Sequence, residues 1–148
     1  MTEEAIGTIV SLQISVAHRV AVKKVEEAKF IEGYGIEGDR HASDRIERQG
    51  YQVLIMDQET LNEFELGPGI IKEQITTSGI DVGAMQPGQQ LSIGDEVIIK
   101  ISQDAVPCSR LDEILSGLQN KLVGRRGKLA SIVIGGTVRV GDSLNLYS

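Results

Sequence analysis

The feature of this sequence that most constrains its fold is a two-residue alternation of apolar and polar side chains, interrupted at short intervals by glycine. The segment 96–102 shows it most clearly, because Val97, Ile99 and Ile101 share one face and Lys100 lies on the other. This period is typical of a β-strand with one buried face. With 17 glycines in 148 residues, the chain can join many short strands by tight turns. We therefore expect a mainly β (α+β) fold: a strand-rich, twisted β-barrel with a few short helices.

The same pattern predicts the individual elements. Strands are expected at Ala5–Ile14, Arg19–Val25, Tyr51–Met56, Gln74–Thr77, Gln89–Ile93, Glu96–Ser102, Leu129–Ile134, Thr137–Val140 and Ser143–Tyr147. A helix over Asp57–Phe64 is opened by an Asp cap and stopped by Gly67-Pro68-Gly69. Gly135-Gly136 predicts a hairpin, and two Gly-Asp pairs, at 94–95 and 141–142, predict tight turns. We expect one domain over residues 1–148.

Composition excludes several classes of function. The net charge is −6 and the sequence pI is about 4.9. This negative charge is unfavourable for sequence-independent binding to the phosphate backbone of nucleic acids. Aromatic residues make up 3% of the chain and Trp is absent, which argues against a base-stacking surface. No apolar run reaches the roughly 20 residues that span a bilayer, and the N-terminus is acidic where a signal peptide is basic. We expect no nucleic-acid or membrane partner and a cytoplasmic location.

Cys108 is the only cysteine, and its neighbours are typical of a reactive thiol. Pro107 restricts the backbone before it, and the run 109–115 predicts a helix capped by Ser109, with Asp112 in the reciprocal capping position. The positive end of that helix, together with Arg110, would favour the thiolate, which is both a nucleophile and a soft metal ligand. A buried cysteine acting as a small hydrophobic side chain fits the local pattern equally well.

Two groups of basic residues stand out in this acidic chain: Arg40, Arg45 and Arg48, and then Lys121, Arg125, Arg126 and Lys128. Such clusters suit a small anion, although solvated surface charges are the alternative. Because only His18, His41 and Cys108 offer nitrogen or sulfur to a metal, a closed structural zinc site is not expected. We expect His18 to be a surface residue, whereas His41 follows a glycine-rich loop and is a candidate for a pocket.

Six motifs, taken in order, resemble the MOSC domain, the C-terminal module of molybdenum-cofactor sulfurases that also occurs as small bacterial proteins. They are GIEGDRHA (35–42), KEQITT (72–77), LSIGD (91–95), Cys108, GRRGKLA (124–130) and GGTVRVGD (135–142). The resemblance extends from about Ala5 to Leu146 and implies the family's strand-rich barrel.

The resemblance also implies roles for the matched residues. Cys108 matches the family cysteine, proposed to carry sulfur as a persulfide or to ligate molybdenum. Lys72 and Gln74 stand where the family has Arg and Asn, and Lys cannot make bidentate phosphate contacts. The candidates for cofactor binding, which include the Cys108 neighbour Arg110, are Asp39, Arg40, His41, Lys72, Gln74, Thr76, Thr77, Arg110, Arg125 and Arg126.

The implied cofactor is the molybdenum cofactor, an anionic pterin. No pyridoxal phosphate, flavin or iron–sulfur cluster is expected in this chain, because a single cysteine cannot hold a cluster and the GYGIEG segment at 33–38 lacks the setting of a dinucleotide-binding loop. The leading interpretation is a domain that carries or delivers sulfur to a partner enzyme. The alternatives are a molybdenum-dependent reductase of N-hydroxylated compounds with an external electron donor, and an interaction module whose pocket has lost its cofactor.

Overall fold

The computed structural model describes residues 5–147, so the first four residues and the last residue of the predicted domain lie outside the described residues. These residues form eleven strands and three short α-helices. The strands are β1 Gly7–Ile14, β2 Lys23–Val25, β3 Glu27–Ile31, β4 Gly35–Ile36, β5 Val53–Asp57, β6 Ile75–Ser78, β7 Gln90–Ile93, β8 Val97–Asp104, β9 Lys128–Ile134, β10 Gly136–Arg139 and β11 Ser143–Tyr147. The helices are α1 Gln58–Glu63, α2 Leu111–Ile114 and α3 Leu118–Lys121.

Seven of the described strands close into a barrel. Their order is β11-β7-β8-β9-β5-β6-β1, and β1 pairs back onto β11. Neighbouring strands are antiparallel, except that β5 and β6 run parallel. In β8, Val97, Ile99 and Ile101 face the barrel core, while Lys100 is exposed. The expected strand-rich barrel is therefore confirmed.

A second, smaller sheet covers one side of the barrel. It has the order β10-β3-β4, and its apolar side chains join the barrel core, with Phe30 and Val138 almost fully buried. The three helices cover the outer face of β5, where six buried side chains form a separate apolar cluster: Met56, Leu61, Ile71, Leu111, Leu118 and Leu122. None of the helices in residues 5–147 is both long enough and apolar enough to cross a membrane.

The chain between β1 and β4 differs from the prediction. The expected strand Arg19–Val25 is reduced to β2, and residues 16–22 form an exposed loop in which Arg19 has a positive φ of 60°. β3 and β4 were not predicted. Their alternation is short, and β4 has two residues, too few to give a periodic signal.

The helix after Cys108 is also shorter than predicted. It is one turn, α2, and Arg110 rather than Ser109 occupies its N-cap, with no side-chain cap bond. The Asp112 carboxylate instead accepts a hydrogen bond from the Gln119 N–H at 2.9 Å. The predicted reciprocal cap is therefore wrong, and a single turn provides few aligned peptide dipoles to act on the thiol.

The predicted Gly135-Gly136 hairpin is wrong in its pairing. β9 pairs with β5 and β8, whereas β10 pairs with β3, so the two glycines carry the chain from the barrel to the small sheet. A Cβ on Gly135 would press on the Phe30 carbonyl oxygen, so the glycine serves close backbone approach. The Gly94-Asp95 turn does join a hairpin, because β7 pairs with β8.

Candidate functional site

A pocket of about 550 Å³ opens between the outer face of the barrel and the segment around Cys108. Its apolar wall includes Leu54 from β5, Leu129 from β9 and Leu111 from α2. The polar side chains that line it come from sequence-distant segments: Ser15, His18, Arg19, Arg40, His41, Arg48, Tyr51, Lys72, Gln74, Cys108, Arg110, Glu113 and Arg126. The fold thus brings parts of both predicted arginine clusters to one cavity.

Cys108 is exposed and lines this pocket. It lies in the loop between β8 and α2, and its carbonyl oxygen accepts a hydrogen bond from the Leu111 N–H at 3.1 Å, which fixes the backbone next to the thiol. Because its side chain faces solvent in a pocket, Cys108 does not act as a core hydrophobic residue here. The thiol is accessible to a ligand or reagent that enters the cavity.

Asp39 is a buried carboxylate that holds the residues on the polar side of the pocket in place. Its side chain has no solvent exposure and accepts hydrogen bonds from the Ser15 N–H at 2.6 Å and the His41 N–H at 3.1 Å. Burial alone would raise the pKa of Asp39, but hydrogen bonds from His41 and Ser15 outweigh it and lower that pKa below its usual value. The His41 ring nitrogen Nδ1 lies 3.4 Å from the same carboxylate, so Asp39 orients the ring that lines the pocket.

Gln74 links this group to the barrel wall. Its Oε1 accepts a hydrogen bond from the Leu54 N–H at 2.8 Å, and its Nε2 lies 3.3 Å from the Asp39 carboxylate and 3.4 Å from His41 Nδ1. The amide therefore has one fixed orientation, with the nitrogen toward Asp39 and His41. Lys72, in contrast, donates to the Val20 carbonyl oxygen at 3.4 Å from a backbone with φ of 67°.

Arg126 supplies hydrogen-bond donors that the described residues leave unused. Its Nη2 donates to the Ile71 carbonyl oxygen at 2.9 Å, while Nε and Nη1 are buried without a hydrogen-bond partner among residues 5–147. Burial lowers the pKa of Arg126, and negative charge at Cys108 and at Glu73 acts in the opposite direction. A buried guanidinium with two free donors at the edge of a pocket is suited to an anionic ligand.

A buried carboxyl group lies behind this wall. Glu73 is completely buried, and its Oε2 accepts hydrogen bonds from the Gly69 N–H at 3.0 Å and the Thr76 hydroxyl at 2.7 Å. Its Oε1 has no partner among the described residues, and burial raises the pKa of Glu73. No ion pair joins Glu73 to Arg126 within the described part of the chain, so the guanidinium charge stays available to the pocket.

Not every predicted residue reaches the cavity. Thr76 and Thr77 are fully buried in the barrel wall and do not line the pocket. Arg125 also lies elsewhere: it forms a 2.7 Å ion pair with Glu63, and its guanidinium is 5.4 Å from the centre of the Phe64 ring. The structure therefore separates Arg125 from its neighbour Arg126, because consecutive residues of the turn before β9 point in different directions.

Several lining residues were not among the sequence candidates. His18 Nε2 lies 3.0 Å from an Arg110 guanidinium nitrogen, and Arg19 forms a 3.7 Å ion pair with Glu113. Arg48 lies over the Tyr51 ring at 5.9 Å. The sequence signalled Arg48 as a member of the first arginine cluster. His18 was expected only to be a surface residue, and Arg19 lay at the start of the incorrect strand prediction.

The potential for binding metal is limited to single side chains. Within residues 5–147, no group of three or more His, Cys, Asp or Glu side chains is placed to hold a metal ion. Cys108 is the soft side chain that lines the pocket, and His18 and His41 are the lining residues with ring nitrogens.

Comparison with known proteins identifies relatives of this architecture. Residues 39–145 match the family model of the MOSC domain. The YuaD protein from Bacillus subtilis superimposes with a TM-score of 0.81 at 19% identity and 96% coverage of both chains. YiiM from Escherichia coli gives a TM-score of 0.70 at 19% identity, with 99% of this chain and 71% of that chain covered. YiiM from Geobacillus stearothermophilus gives 0.76 at 17% identity, with 96% and 75% covered. A search of curated proteins found no match.

Proposed function

The chain belongs to the MOSC domain family, whose members generally bind the molybdenum cofactor, and from this premise we propose that its pocket binds that cofactor and that Cys108 carries sulfur for a partner enzyme. The observation that carries the proposal is the arrangement of the pocket: an exposed thiol shares it with a buried guanidinium that has two unused donors. These two groups match the two chemical ends of an anionic, metal-bearing pterin.

The residues present fit the cofactor. The free Nε and Nη1 donors of Arg126 can each give a charge-assisted hydrogen bond to an anionic group such as a phosphate. Arg40 adds positive charge, and the fixed amide of Gln74 offers directed polar contacts to a ring edge. When bound, the cofactor supplies a molybdenum ion that accepts soft sulfur ligands. Cys108 would be the protein ligand to that ion.

In a sulfur-carrying cycle, the chain contributes the thiol and its surroundings. The Cys108 thiolate attacks the terminal sulfur of a donor persulfide, so that a new S–S bond forms at Cys108 while the donor leaves as a thiolate. Arg126 and Arg110 line the same pocket and add positive charge to it.

A second candidate function is the reduction of N-hydroxylated compounds with electrons from another protein. The observation that favours it is the Asp39–His41 pair, because a ring held by a buried carboxylate at a pocket can hold the proton that such a reduction consumes. An assay with a generic electron donor and an N-hydroxylated substrate distinguishes this activity from sulfur transfer.

The decisive experiment is molybdenum and pterin analysis of protein purified without oxygen from a host that makes the cofactor. We expect both in the wild-type protein and little of either in Arg126→Gln. Arg139→Gln is the matched control, because Arg139 forms an ion pair with Glu27 on the small sheet and does not line the pocket. A folded wild-type protein with neither molybdenum nor pterin would instead support an interaction module.

Sulfur carriage is tested on the same preparations. After incubation with a low-molecular-weight persulfide, mass spectrometry should find one added sulfur atom on the wild-type protein and none on Cys108→Ser. Cofactor content without persulfide loading would favour the reductase over the sulfur carrier.

A further inference from the structure

The mouth of the pocket carries more positive charge than a single buried anion site requires. His18 and Arg19 extend over the pocket from the loop 16–22, and the other cations come from separate segments. The cations that affect His18 are Arg110, Arg40, Arg19 and Lys72. The acidic side chain among the described lining residues is Glu113, which is already paired with Arg19 at 3.7 Å.

His18 lies among these cations as a neutral acceptor. Its Nε2 is 3.0 Å from a guanidinium nitrogen of Arg110, and a guanidinium can only donate, so Nε2 carries no proton in this arrangement. Arg110 lowers the pKa of His18 most strongly, and the remaining cations lower it further. His41, the other histidine, has Nδ1 at 3.4 Å from the Asp39 carboxylate and Nε2 at 3.5 Å from an Arg40 guanidinium nitrogen.

We propose that His18 and Arg110, with Arg19, Arg40 and Lys72, form a second anion subsite at the pocket mouth, which binds a phosphate group and takes up a proton on His18 when the group binds. This subsite differs from the Arg126 donors, which are buried, whereas His18 and Arg110 are exposed. The inference goes beyond the proposed function, since it requires neither molybdenum nor a reaction at Cys108.

The proton uptake follows from linkage between charge and binding. In the free protein, the surrounding cations disfavour a positive charge on His18. A bound dianion offsets them, which raises the pKa of His18 and makes its protonated form favourable. Binding must therefore strengthen as pH falls through the range in which His18 titrates. The effect should weaken in high salt, because the residues are exposed.

The test uses inorganic sulfate with the cofactor-free protein, because sulfate is a tetrahedral dianion that keeps its charge near neutral pH. With two histidines in the chain, proton NMR of the ring signals can follow each separately, and His18→Gln identifies the signals. We expect saturating sulfate to raise the midpoint of the His18 titration. The affinity for sulfate should rise roughly threefold to tenfold on acidification through the range in which His18 titrates.

Variants separate the subsite from general attraction of anions. His18→Gln should abolish the pH dependence, and calorimetry in two buffers of different ionisation enthalpy should then detect no proton uptake. Arg110→Gln should weaken sulfate binding, whereas Arg139→Gln, which changes an arginine of the small sheet outside the pocket, should keep both the affinity and the proton uptake. The proposal is overturned if sulfate leaves the His18 signal unmoved, or if His18→Gln retains the pH dependence.

The phosphate group can belong to the cofactor or to a second ligand. Repeating the NMR titration with inorganic phosphate on cofactor-loaded protein distinguishes the two sources: a His18 response that persists indicates a second ligand, and a response already saturated indicates the phosphate of the cofactor. Since the sulfate titration uses cofactor-free protein, its failure would leave the proposed function intact. A protein that binds no cofactor could likewise still bind sulfate at this subsite.

Discussion

At the scale of single residues, the position of the His41 ring depends on one buried carboxylate. Asp39 accepts hydrogen bonds from two backbone N–H groups and lies beside both His41 and Gln74. Its lowered pKa means that the ionised form is stabilised by folding. This contribution is fully present above the unfolded value, about pH 4, and is lost as pH falls through the lower folded value.

We predict that Asp39→Asn lowers the free energy of unfolding by about 1–3 kcal/mol at neutral pH. The difference from the wild type should shrink as the solution is acidified from about pH 4 through the lower folded pKa of Asp39, because the folded wild-type carboxylate becomes protonated there. Urea denaturation across this pH range measures both effects. Asp44→Asn, which alters an exposed carboxylate of the same loop, should change stability by less than about 0.5 kcal/mol. Equal losses at neutral and acidic pH would contradict the charge-based explanation.

At the scale of elements, the turn that precedes β9 determines where Arg126 points. Gly124 and Gly127 both have positive φ, 74° and 99°, but their surroundings differ. A Cβ on Gly127 would overlap the Ile55 carbonyl oxygen on β5, whereas a Cβ on Gly124 would meet no described atom within 4 Å. A substitution at Gly124 therefore introduces backbone strain alone, whereas one at Gly127 introduces both backbone strain and steric overlap.

Gly124→Ala is expected to cost about 1–2 kcal/mol, the strain of a left-handed residue alone. Gly127→Ala should cost several kcal/mol, since β9 must also move away from β5, and Arg126 would move with it. Thermal unfolding measures the stability of the two variants, and molybdenum content reports the position of Arg126. If Gly127→Ala were no less stable than Gly124→Ala, close packing between β9 and β5 would not be the reason for this glycine.

Among the elements, the buried face of a strand could be predicted from the sequence, but the pairing of strands and the contacts between distant loops could not. The alternation in β8 identified the buried face correctly, because burial of one face is a local property of a strand. The partner of β10 could not be predicted, because two glycines permit a hairpin and equally permit a crossing between sheets. The inclusion of His18 in the pocket also escaped prediction, since it depends on a contact between residues 18 and 110, which are distant in sequence.

At the scale of the whole molecule, charge is distributed unevenly. The chain has a net charge of −6, yet six of its 15 basic residues and one of its 21 acidic residues line the pocket in the described part of the chain. Like charges gathered around one cavity repel each other, and one of them, Arg126, is largely desolvated. The positive charges that suit the pocket for an anion therefore lower the free energy of unfolding of the protein when no anion is bound.

This leads to a prediction in which stability and binding change in opposite directions. Arg126→Met removes a buried charge whose Nε and Nη1 have no described partner, so the free energy of unfolding in anion-poor buffer should rise by about 1 kcal/mol. The loss of the bond to Ile71 offsets part of this gain. In added phosphate, the wild type should gain more stability than the variant, because the variant lacks the two free donors.

Arg110→Met, which changes an exposed arginine of the same pocket, should leave stability in anion-poor buffer within about 0.5 kcal/mol. Urea denaturation of the three proteins, with phosphate and with chloride at equal ionic strength, measures these free energies of unfolding. A large loss of stability for Arg126→Met in anion-poor buffer would show that Arg126 is a structural residue and not a charge held for a ligand.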